Sequence, residues 1–102
     1  MAEDRLRIDL WLWRARFCKT RAEASARVEA GRIRRTRAGE TVRIDKASRT
    51  VRIGDELAFA VGSRSWMVRV AALGTRRGPA SEARDLYVAV EEFSGPGEER
   101  RH

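Results

Sequence analysis

Apolar and polar positions repeat with one period in the first third of the chain and with another afterwards. From residue 6 to 17 the spacing is helical. At 100° per residue, Leu6, Leu10, Trp13 and Phe17 fall within about 60° of each other, and Ile8, Trp11, Leu12 and Ala15 gather on roughly the opposite side. Arg7 and Arg14 share one flank, Arg16 and Asp9 the other. The pattern predicts a short helix gripped between two layers, with Leu6, Leu10, Trp13 and Phe17 in the core and the arginines emerging at its sides. Trp11 borders the Arg7/Arg14 flank and admits two readings, a core ring or a stacking contact at the surface.

A second helix follows. Thr20 and Glu23 have the spacing of a capping box, with Thr20 as N-cap and Glu23 three residues on. The helix is expected over about residues 21–30, with Gly31 placed to terminate it. Ala22, Ala24, Ala26 and Ala30 keep it slim enough to lie close to the first. The period then becomes two. Val42/Ile44 and Val51/Ile53 alternate with polar residues, and "ELAFAV" (56–61) and "WMVRVAAL" (66–73) flank a hairpin turn at 62–65. A Gly/Pro-punctuated loop with a helical turn near Ser81 comes next. "VAVEEF" fits strand and helix equally, and 94–102 reads as a flexible tail. The expected fold class is α/β, more strictly α+β: two packed helices leading into a small, mostly antiparallel sheet, in one domain spanning residues 1–93.

Charge sharpens this picture. Of 102 residues, 22 are Lys or Arg and 15 Asp or Glu, a net of +7. Residues 1–54 hold 15 basic against 7 acidic residues, and 55–102 hold 7 against 8, so the whole excess lies in the first half. Such asymmetry points to a polyanion-binding face. Arginine outnumbers lysine 20 to 2, which suits phosphate and base stacking but also follows from GC-rich codons. The single cysteine, Cys18, fits a reducing compartment, and no apolar run is long enough for a bilayer. With an acidic N-terminus instead of a signal peptide, the chain reads as cytoplasmic.

Chemistry is sparse. The one histidine, His102, is terminal, so no hydrolytic triad is available, and Cys18 with His102 cannot make a zinc site. Neither glycine-rich phosphate motif occurs. No catalytic residue, metal ligand, cofactor or small-molecule substrate is expected. Cys18 reads as a packing residue beside the inter-helix turn, with a reactive thiol as the alternative because Lys19 and a helix start lie near. Lys19, Thr20 and Arg21 make a phosphate seat at the start of the second helix. Arg32, Arg34, Arg35 and Arg37 leave its far end.

"RIDLWLWRARFCKTRAEASARVEAGRI" (7–33), continued by "VRIGDEL" (51–57), resembles the RNA-binding domain named after small-subunit ribosomal protein S-four, the αL motif. The matching positions are Ile8-Asp9, Thr20-Arg21, Gly31, Ile33 and Gly54-Asp55. The "WLW" and "RRGPASEARDLY" pieces are closer still to the bacterial, ribosome-associated heat shock protein 15 group. The resemblance implies a non-enzymatic protein that binds structured ribosomal RNA on the large subunit, and transfer RNA with it, on subunits stalled with nascent chain under heat or translational stress. It carries RNA contacts onto Arg5, Arg7, Arg14, Arg16, Lys19, Thr20, Arg21, Arg32 and Arg34. Trp11 joins them under its stacking reading. A monomer when free, and no membrane partner, are expected.

Two positions depart from the family pattern. Arg27 stands where an apolar residue is usual, and Thr36-Arg37 replaces Asn-Gly, leaving Gly39 to supply the turn. Two rival functions compete. A DNA-binding helix-turn-helix fits the helix pair and the charge, but the second helix offers no Asn or Gln for base edges. An RNA-modifying enzyme needs a catalytic domain, for which this length has no room unless the chain is a fragment.

Overall fold

The computed structural model describes residues 4–94. The chain runs β1 (Leu6–Arg7), α1 (Ile8–Arg14), α2 (Arg21–Glu29), β2 (Ile33–Arg37), β3 (Glu40–Ile44), β4 (Thr50–Val51), β5 (Glu56–Val61) and β6 (Arg64–Val70). It ends with α3 (Ala80–Ala83), a 3-10 turn (Arg84–Leu86) and β7 (Tyr87–Ser94). Five strands form one antiparallel sheet in the order β3-β2-β5-β6-β7, and β1 pairs with β4 in a separate two-stranded piece. This is the expected α+β arrangement. The ambiguous "VAVEEF" is strand, and most of the expected tail, residues 95–102, lies outside the described residues.

The first helix is shorter than its periodicity predicts, because Arg16 adopts φ +67° and closes it. The Arg16 amide donates to the Trp13 carbonyl (3.1 Å) and the Phe17 amide to the Leu12 carbonyl (3.0 Å), the paired bonds of a Schellman ending. Leu6 before the helix and Phe17 after it lie outside its span, so no helical face joins them to Leu10 and Trp13, and within the helix the opposite face turns inward. This changes the core. Leu6 and Phe17 are buried as expected, but Leu10 and Trp13 are only half-buried. The most enclosed face carries Ile8, Trp11, Leu12 and Ala15. They meet Ala24 and Val28 of α2 and the inward residues Ile33, Ile44, Leu57, Phe59, Val68 and Val70 of the sheet, so both helices cover one sheet face.

The second helix follows its sequence signals closely. Thr20 Oγ1 accepts the Glu23 amide at 3.0 Å, and Gly31 at φ +77° ends the helix. Glu23 reaches one residue further than expected, accepting the Lys19 amide at 3.1 Å rather than that of Thr20. The β2–β3 turn is Ala38-Gly39, with φ +54° and +81°, a two-residue turn with both positions left-handed. The glycine is therefore the one expected, with an alanine before it. The β5–β6 hairpin is tighter than the expected four-residue turn: Val61 pairs with Arg64 around Gly62-Ser63. Ile53 is not a strand residue. It is 62% exposed, on a turn closed by the Arg52 amide donating to the Asp55 carboxylate at 2.8 Å.

Candidate nucleic-acid interface

The corner where α1 meets α2 is pinned by a buried carboxylate. Asp9, 2% exposed, accepts Arg7 Nε (3.1 Å) and Nη2 (2.9 Å), the Leu10 amide (2.7 Å) and Ser25 Oγ (2.9 Å). Burial would raise its pKa, but the guanidinium, hydroxyl and amide together hold it below the ordinary carboxylate value. Arg7 is thereby fixed over the cleft between the helices with half of its side chain in water. Arg21 lies one turn before Ser25 and so on the same stripe of α2. Arg49 adds a cation, since its carbonyl accepts the Ile8 amide at 2.7 Å and Thr50 beside it pairs with Arg7. Nothing in the hydrophobic pattern marked Arg49, because strand pairing alone brings it here.

Capping consumes the amides of Lys19 and Glu23, so the first-turn N–H groups of Arg21 and Ala22 are those left without an intrahelical acceptor. Lys19, Thr20 and Arg21 are exposed around them. The Glu23 carboxylate already occupies part of this positive end and pairs with Arg27 at 3.3 Å. Arg27 is partly exposed. It crosses to the sheet, donating to the Ala60 carbonyl at 3.0 Å.

The remaining candidates separate. Trp11 is fully buried and its Nε1 donates to the Ala72 carbonyl at 2.9 Å, so the stacking reading is corrected: Trp11 is a core ring. Arg14 and Arg16 brace the 71–79 loop, donating to the carbonyls of Gly74 and Gly78, each at 2.7 Å. Arg77 returns the grip, donating to the Trp13 carbonyl (3.0 Å) and lying over the Trp13 ring at 5.6 Å. Arg5 is exposed just before β1, and Arg32 just after α2. Arg34 is exposed on β2, beside Arg43 across the strand pair. Because Ile33, Arg35 and Arg37 take the alternate positions toward the helices, Arg34 faces the open side of the sheet, away from the Arg7 corner.

A second carboxylate supports the strand end of this face. Asp55, also 2% exposed, takes both Arg37 donors at 2.8 Å, and these bonds outweigh burial to keep its pKa low. Both aspartates belong to scattered acidic residues that composition alone assigns to solvated faces; they are internal. Cys18 is buried, and burial pushes its thiol pKa up, so it packs and is not poised for reaction. Among the described residues no group of acidic, histidine or cysteine side chains is placed to hold a metal ion. No helix there is long and apolar enough to cross a membrane.

Comparison with known proteins agrees with this architecture. The S4 domain family matches residues 6–35, which span β1, both helices and most of β2. The heat shock protein 15 homolog of Haemophilus influenzae is 36% identical over 89% of this chain, and heat shock protein 15 of Escherichia coli K12 is 39% identical over 80%. The chain spans 66% and 58% of those two proteins. The trimeric structure of Vibrio cholerae heat shock protein 15 superposes with a TM-score of 0.72 at 31% identity, covering 84% of this chain and 82% of that one. With the αL corner, the sheet and the sequence in agreement over most of its length, the chain belongs to the heat shock protein 15 family of RNA-binding S4-domain proteins.

Proposed function

We propose that this protein is a non-enzymatic, cytoplasmic RNA-binding protein that recognises structured ribosomal RNA on the large subunit. There it assists the recycling of subunits stalled with nascent chain and transfer RNA under heat or translational stress. The observation that carries this reading is the Arg7–Asp9–Ser25 cluster. A buried carboxylate holds an arginine at the surface, beside the start of α2 where Lys19, Thr20 and Arg21 stand. Orienting a guanidinium before the ligand arrives lowers the entropy lost on binding phosphate.

We assign the primary contacts to Arg7, Lys19, Thr20 and Arg21, with Arg5 and Arg49 extending them. Arg14 and Arg16 act mainly by holding the neighbouring loop. Arg32 and Arg34 make a separate, secondary contact from the end of α2 and the open sheet face. A DNA-reading helix-turn-helix is less well supported: the exposed residues of α2 are Arg21, Ala22, Glu23, Ala26 and Glu29, which offer two carboxylates and no amide to a groove. Sedimentation of cell lysate through a low-salt gradient tests the ribosomal assignment. The protein should travel with free large subunits, more so after heat stress, and remaining at the top under both conditions refutes it. The same reading takes the free chain as a monomer, which light scattering tests against the trimer described for the Vibrio protein.

A further inference from the structure

A cavity of about 280 Å³ opens between the end of α1, the tip of the β5–β6 hairpin and the α3 segment. Its floor is aromatic: Phe17 lies 5.4 Å from Trp66 and 4.7 Å from Tyr87, ring centroid to centroid. Phe17 is buried, whereas Trp66 and Tyr87 are half-exposed toward the opening. Three arginines stand around it. Arg64 lies over the Trp66 ring at 4.7 Å, and Arg16 and Arg84 also line the cavity. Among the described side chains lining the cavity there is no carboxylate. The larger groove beside α2 differs, holding the paired Glu23 and Arg27.

Arg16 is placed here at a cost. Its φ of +67° is the left-handed conformation that helix endings normally assign to glycine. A long cationic side chain held there projects beside the aromatic floor, and such backbone strain concentrates at binding sites.

We propose that this cavity receives one unpaired nucleobase of the bound RNA, with its phosphate held by Arg84 and by the terminal guanidinium nitrogens of Arg16, whose Nε stays on the Gly78 carbonyl. This rests on the RNA-binding reading above and adds a base-reading subsite to it. A flat ring with a flanking anion is the ligand that an aromatic floor and a cationic rim select together. Sequence-tolerant stacking on tryptophan, tyrosine and arginine planes is how proteins hold splayed-out RNA bases. The volume, just under the range of about 300–1,000 Å³ for small-molecule sites, suits a single base with its phosphate at the rim. Phe17 and Lys19 are two residues apart, so a strand whose backbone lies on the α2 corner has a short path to this cavity.

The test uses three short RNA duplexes of one sequence: blunt, with a single bulged 2-aminopurine, and with an abasic bulge. The full chain should bind the base-bearing bulge about ten-fold more tightly than the abasic one, and should quench 2-aminopurine emission. Trp66→Leu should abolish that preference. Arg84→Ala, at an exposed position outside the core, should weaken both bulged duplexes relative to the blunt one. Both variants should keep parental affinity for the blunt duplex, which also shows that they fold. Equal binding of the two bulges by the parent protein, with the blunt duplex still bound, overturns the subsite and leaves the RNA-binding reading intact. A preference that survives in Trp66→Leu overturns it as well. Failure to bind any of the three at low salt overturns both readings.

Discussion

Asp9→Ala tests the corner on which the site is built. The substitution deletes an acceptor that takes four donors: two from Arg7, one from Ser25 and one from the Leu10 amide. Hydrogen bonds to a charged group contribute about 1.5–3 kcal/mol each. The Arg7 pair must be discounted, because half of that side chain is in water and regains hydration when released. What remains is the internal part, the Ser25 hydroxyl and the Leu10 amide. Those two bonds amount to about 3–6 kcal/mol, and removing the cost of burying the carboxylate itself brings the expected loss to about 2–4 kcal/mol, or a fall in Tm of about 10–20 °C for a domain of this size. Arg7→Ala leaves the opposite defect, a 2% exposed carboxylate without its cation, and should also lower the urea midpoint. The double variant should lose clearly less than the sum, since the second deletion removes a group already unpaired. Urea unfolding followed by tryptophan fluorescence measures all three, with Trp11 as the buried reporter. An Asp9→Ala loss below about 1 kcal/mol, or strict additivity, would refute the pin.

Other expectations follow from the same geometry. Lys19→Ala and Arg21→Ala should weaken RNA binding with a stability change of at most about 1 kcal/mol, whereas Thr20→Ala loses the Glu23 cap and should cost about 1 kcal/mol as well as affinity. Tm and RNA affinity measured on the three variants separate the roles, and parental affinity in Lys19→Ala and Arg21→Ala would move the phosphate seat elsewhere. Asp9 and Asp55 titrate below their ordinary value of 3.8 in the folded chain, so they add stability above that pH and lose it as pH falls through the folded-state pKa. Tm should thus be flat near neutrality and drop below about pH 4, less steeply in Asp55→Asn. Ala38→Asn relieves an alanine held at φ +54° and should raise stability by about 0.5–1 kcal/mol, read as a higher urea midpoint at unchanged m-value. RNA affinity should fall with salt at a log–log slope of about −3 to −5, with duplex DNA bound more weakly; a slope near −1 would contradict the basic-face assignment.

Local rules fixed much of this molecule before any tertiary contact was known. The Thr20/Glu23 cap, the Gly31 ending, the "ELAFAV" strand and the hairpin after it are each written in a few adjacent residues, because caps, left-handed positions and alternation depend on neighbours in the chain. The charge asymmetry likewise needs no structure to read. The family pattern, carried by Ile8-Asp9, Thr20-Arg21 and Gly54-Asp55, followed from residues that a single sequence displays.

Other properties required the folded chain. Trp11 and Trp13 differ by two positions, and the helical spacing puts Trp13 in the core while leaving Trp11 open; the fold reverses this order, with the Ala72 carbonyl taking the Trp11 indole inside and Arg77 lying over a half-buried Trp13. Asp9 and Asp55 belong to the family pattern, but that pattern does not say they are buried; Ser25 and Arg37, sixteen and eighteen residues away, are brought to them only by folding. The arginines of the first helix resemble a single phosphate-binding run. Their partners lie some sixty residues away, so Arg14 and Arg16 brace a loop while Arg7 faces outward. A long guanidinium satisfies phosphate, carboxylate and carbonyl alike, and its role is set by the acceptor that folding places within reach.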